Sequence, residues 1–167
     1  MGFIKNTIIV GLIVFFLVVM MISFDISYTG EIVGANFSAS YFVAHPDEVI
    51  ADYNTKFENI PNFARTLLGN ERINLVINMS DGSVKNFGLI TKEGKIIELN
   101  KDSLNSPTFV ITTSERVIDE VAKSSNAGQD FADAILNDKI KVEGIGFMPQ
   151  TKIFSAKTYL KANGWAK

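Results

Sequence analysis

The 167 residues carry 16 basic and 18 acidic side chains, for a formal charge of −2, and no cysteine. Balanced charge excludes the basic footprint of a nucleic-acid binder. The missing thiols exclude disulfides, thiolate zinc sites, iron–sulfur clusters and attachment through a lipidated cysteine, and the length suits one domain with a short appendage.

Thr7 to Phe24 reads TIIVGLIVFFLVVMMISF, a run without charge. A hydrocarbon core about 30 Å thick is crossed by roughly 20 apolar residues in a helix, and Phe3 and Ile4 lengthen the run. Residues 1–24 are therefore expected to form an N-terminal transmembrane helix, a single-span membrane anchor covering residues 7–24. A cleaved secretory signal is the rival reading, with Val33-Gly34-Ala35 as a small-residue cleavage pattern. Its apolar region is usually shorter, about 7–15 residues, so length favours the anchor. Lys5 precedes the span and the next basic residue is Lys56. That asymmetry puts the N-terminus in the cytoplasm and the domain on the far side of the cell membrane. Met1-Gly2 lacks the downstream Ser or Thr of a myristoylation signal. A pilin-like start at Gly2-Phe3 lacks its basic leader and early glutamate.

Residues 25–45 have no charge after Glu31 and read as a juxtamembrane stalk or as two short extended pieces. Residues 46–167 form the expected domain. Asp47 to Leu68 reads as helix, opened by Pro46, with Val49, Ile50, Tyr53, Phe57 and Ile60 on one face and a bend at Pro61. Ile73, Leu75, Ile77 and Met79 alternate with polar residues as a strand, and Asp81-Gly82 is a hairpin signal. Val84 to Thr91 and Lys95 to Leu99 continue the meander. Thr108 to Thr112 is a fourth strand. Thr113 and Ser114 are N-cap candidates for a helix from Glu115 to Lys123. Gln129 to Asn137 is a further helix, Lys139 to Gly146 a fifth strand, and Pro149 opens a last helix carrying Ile153, Phe154 and Leu160. The expected class is α+β: a five-stranded, mostly antiparallel sheet covered by helices.

Several strings in this order resemble the sterol carrier protein 2-like (SCP2) lipid-binding family. They are Ile73–Gly82 (INLVINMSDG), Phe87–Gly94 (FGLITKEG), Pro107–Thr113 (PTFVITT), the helical SERVIDEV from Ser114, and Ala134–Gly144 (AILNDKIKVEG). The resemblance spans roughly residues 48–160. It implies an SCP2-like fold with an apolar tunnel between sheet and helices, a lipid ligand and no catalytic residues. The membrane anchor and the Ser124–Gly128 loop depart from the family pattern.

The chain has thirteen phenylalanines. On pattern alone they make an ordinary core; the resemblance raises a second reading, in which some line a cavity. The candidate lining residues are Phe87, Leu89, Phe109, Ile111, Phe131, Ile135, Ile153 and Phe154. No catalytic residue, metal ligand set or cofactor is assigned. His45 stands alone beside a proline, and zinc-protease, nucleophile-elbow and phosphate-loop motifs are missing. Asn36 in Asn36-Phe37-Ser38 is a glycosylation candidate; the same match at Asn78 falls within a strand. Three functions remain: a membrane-tethered lipid carrier, a non-catalytic envelope protein whose SCP2-like fold is filled by its own side chains, or, resting on the anchor alone, a subunit of a multi-protein membrane machine.

Overall fold

The computed structural model describes residues 37–57 and 69–162. The expected span at 7–24, the Asn36 candidate and the second half of the 47–68 helix lie outside the described residues. Among those described, no helix is long and apolar enough to cross a membrane.

Two short helices open the domain, α1 (Ala39–Ala44) and α2 (Pro46–Lys56). The strands β1 (Arg72–Asn78), β2 (Val84–Lys92), β3 (Lys95–Asn100) and β4 (Phe109–Ser114) follow. Then come α3 (Glu115–Ala122), α4 (Ala127–Leu136), β5 (Lys141–Gly144) and α5 (Phe147–Ala162). The sheet order is β3-β2-β1-β4-β5. Three pairings are antiparallel, as expected, and β1–β4 is parallel, which makes the sheet mixed. The parallel pair arises because β3 lies on the far edge. The chain must then cross the open face, through residues 101–108, to reach the other side of β1.

That crossing is pinned from below. The Asn74 side-chain amide donates to the Leu104 carbonyl and accepts from the Leu104 N–H, at 3.1 and 2.7 Å. Gly88 leaves room for Leu104: a Cβ there would lie 2.6 Å from Leu104 Cγ. The other face of the sheet carries the core. Strand alternation points Ile73, Leu75, Ile77, Phe87, Leu89, Phe109 and Ile111 toward the helices, and all are buried.

The segment read as a stalk is partly structured. Residues 39–44 form α1, with Ala39 and Phe42 buried in the core cluster. The Ser38 hydroxyl caps it by accepting the Tyr41 N–H, and the Ala39 N–H donates to Asp119 Oδ1 at 2.8 Å. Six residues without charge are too few to show a helical period, so the sequence offered no sign of it. Pro46 then begins α2 where its missing N–H is harmless.

Candidate functional site

The register arranges the expected lining residues in rows across the sheet. One row runs Leu89–Ile73–Phe109–Gly144, the next Phe87–Leu75–Ile111–Val142. Four strand-borne candidates thus share one apolar platform, joined by Ile73 and Leu75 between them. Phe42 of α1 meets Phe87 edge-on, with centroids 5.0 Å apart. Phe131 and Ile135 of α4 are buried in the same core cluster. They follow from the helix period, being four residues apart.

Phe109, Ile111 and Phe131 are 0 % exposed. Neighbouring atoms cover them fully, so no water-sized space lies against these three side chains. Ile153 is partly buried against the core. Phe154 is not: it is 74 % exposed and points outward from α5. The inward face of that helix is set by Ile153 and Leu160, seven residues apart, and the next residue after Ile153 is turned away by about 100°.

The third row reads Lys85–Ile77–Thr113. Sequence reasoning offered Thr113 and Ser114 as helix caps, and the cap is Ser114, whose hydroxyl accepts the Val117 N–H. Thr113 is the last inward residue of β4, only 3 % exposed, and its hydroxyl has no hydrogen-bond partner. The alternation through Phe109 and Ile111 was the signal that would have found it.

Among the described residues the Ser83 hydroxyl, in the β1–β2 turn, is the other buried side-chain group without a partner. Buried Glu71 accepts from Lys152 Nζ at 2.7 Å and from the Thr108 hydroxyl at 2.8 Å, which ties α5 to the start of β1. Glu115 accepts from the Ser40 hydroxyl at 2.6 Å and the Ser80 N–H at 2.8 Å, and those bonds hold its carboxyl below the usual range. Burial raises the Tyr53 phenol, whose hydroxyl donates to the Gly94 carbonyl at 2.6 Å. His45 is exposed at the α1–α2 junction, 3.3 Å from Glu48. Among the described residues no His, Asp and Glu cluster has the makings of a metal site.

No family model matches the chain, and no curated protein does. Among solved structures it is similar to sterol carrier protein 2 like 2 of Aedes aegypti. With the palmitated form in solution the TM-score is 0.44 at 15 % identity, over 65 % of this chain and 85 % of that one. With the crystal form it is 0.38 at 16 % identity, over 62 % and 89 %. A ubiquinone synthesis protein, UbiJ-SCP2, gives 0.41 at 15 % identity, over 71 % of this chain and 96 % of that one.

Proposed function

We propose that the chain is a membrane-tethered lipid-binding protein without catalytic machinery, facing the extracytoplasmic side. Its ligand lies between the sheet and the helices. The acyl or isoprenoid part rests along the two apolar rows and the polar end lies at the Lys85–Ile77–Thr113 row. The observation that carries this reading is Thr113: an unpartnered buried hydroxyl beside an otherwise apolar platform. A buried hydroxyl normally finds a partner, and an orphan calls for one that the protein does not supply. Each methylene removed from water contributes about 0.8 kcal/mol, so a long chain binds without ionic contacts. Full coverage of Phe109, Ile111 and Phe131 means that loading displaces side chains or a helix.

That same coverage favours a second reading, an envelope scaffold in which Phe side chains fill the fold. Native mass spectrometry of the detergent-extracted full chain separates the two. The carrier retains a lipid and takes up a fluorescent acyl probe; a chain that does neither is the scaffold.

A further inference from the structure

The last helix is apolar on two separate faces, one toward the core and one toward solvent. Ile153 and Leu160 face the core. Phe147 and Phe154, two turns apart, face outward at 80 % and 74 % exposure. At about 3.6 residues per turn, Phe147, Thr151, Phe154 and Thr158 form one stripe roughly 16 Å long. The Thr151 hydroxyl donates to the Phe147 carbonyl at 3.0 Å, and that of Thr158 to the Phe154 carbonyl at 2.9 Å. Both hydroxyls are thus satisfied within the helix, and the stripe is less polar than its letters suggest. Ile145 and Met148 are also exposed at its N-terminal end. Of the seven large apolar side chains exposed among the described residues, four lie between 145 and 154. Scattered exposure would need no explanation; concentration on one element marks a contact surface.

The helix holds three lysines and no acid. Lys152 pairs with Glu71 and Lys157 with Asp138, while Lys161 is exposed. Phenylalanines on the outward face with exposed Lys161 at its margin match the demands of the lipid headgroup region. Twelve residues, 25–36, separate the apolar run from the described domain. They reach at most about 40 Å, against roughly 23 Å for the length of β1. A tether of that length lets the domain turn this side to the bilayer.

We propose that the outward face of α5 docks on an anionic lipid surface, with Phe147 and Phe154 among the acyl chains and Lys161 at the headgroups. The tether in this argument rests on the anchored reading above.

The natural chain lacks cysteine, so one introduced cysteine carries a unique label. The full chain is placed in phosphatidylcholine vesicles containing phosphatidylglycerol, with an environment-sensitive fluorophore at Thr151→Cys or, as control, at Val84→Cys, an exposed position at the start of β2. At position 151 the emission shifts to the blue and is mostly lost to nitroxide-bearing lipids; at position 84 it is unchanged. Adding Phe147→Ser and Phe154→Ser, both at exposed sites, abolishes the quenching at 151 while the chain still sediments with the vesicles. A water-exposed probe at 151 in a sedimenting chain overturns the docking and leaves the anchor standing. Shielding that grows with protein concentration, without lipid quenching, overturns it in favour of a second copy of the chain. A chain that does not sediment overturns both. Bound lipid, read by mass spectrometry on the same samples, reports on cargo independently.

Discussion

Thr113→Val tests the orphan hydroxyl in two directions at once. Valine keeps the branched shape on β4 and replaces the hydroxyl with a methyl. Burying a hydroxyl without a partner costs about 1–3 kcal/mol, and Thr113 is buried with none. The ligand-free variant is therefore expected to be more stable by roughly 1–3 kcal/mol. For a domain of about 100 residues each kcal/mol moves Tm by about 4–8 °C. Binding moves the other way. Losing one hydrogen bond to a lipid's polar end removes about 0.5–1.5 kcal/mol, a roughly 2- to 13-fold weaker Kd. Thermal unfolding of the solubilised full chain, followed by circular dichroism, gives the first quantity. Titration with a fluorescent lipid gives the second. A lower Tm in the variant refutes the reasoning, because it shows that the protein itself satisfies the hydroxyl. A raised Tm with unchanged affinity removes Thr113 from the ligand site.

Three further outcomes follow from the packing. Gly144→Ala is expected to destabilise by about 1–3 kcal/mol, because the new Cβ would lie 2.5 Å from the Pro149 carbonyl carbon and 2.6 Å from the Gln150 nitrogen. Both are α5 backbone atoms and do not swing aside; unfolding in urea measures the loss. Asn54→Ala exposes an edge: the Asn54 amide donates to the Ile96 carbonyl at 2.7 Å and accepts its N–H at 3.0 Å, standing in for a neighbouring strand. The variant should lose about 1–3 kcal/mol and self-associate through β3, seen as a rise in sedimentation coefficient with concentration. Glu115 titrates below its ordinary value, first through its bond from Ser40 and then through Ser80. Its contribution is full above the unfolded pKa and is lost as pH falls through the lower folded one. Glu115→Gln should therefore flatten the decline of Tm on acidification in that range.

The strands were legible because their chemistry is local. Ile73, Leu75 and Ile77 alternate, Asp81-Gly82 marks the turn, and of the strand expected over Lys139–Gly146 the central Lys141–Gly144 forms β5. Their neighbours were not. Nothing in residues 101–108 announces a crossing that puts β4 parallel to β1, since the pairing is set by Asn74 and Leu104 thirty residues apart. The same limit governs the site. Phe87, Leu89, Phe109 and Ile111 share a platform because each lies on the inward alternation of its own strand, which the sequence displays. Phe131 and Ile135 follow from the helix period. Phe154 fails because α5 is apolar on both sides, so periodicity alone does not say which side meets the sheet. Thr113 was missed because a threonine before a helix suggests a cap, whereas its inward direction is decided by strand phase.

The sealed platform and the two-sided helix bear on each other. If Phe109, Ile111 and Phe131 are fully covered, a ligand reaches them only when a covering element moves. The candidate is α5, the terminal helix of the described chain, held at its first turn by the close approach to Gly144 and farther along by the Glu71–Lys152 pair. It is also the helix whose outward face suits a lipid surface, so the bilayer would pull on the element that must yield. Lys152→Met weakens that hold. The cost is roughly 1–3 kcal/mol, below that of a fully buried pair, because Lys152 is 26 % exposed and Thr108 still donates to Glu71. If α5 is the gate, the variant takes up a fluorescent acyl probe faster than the parent while its final occupancy changes little, since Lys152 does not lie on the platform. An uptake rate equal to the parent's, in a variant shown to be less stable, would place the opening elsewhere.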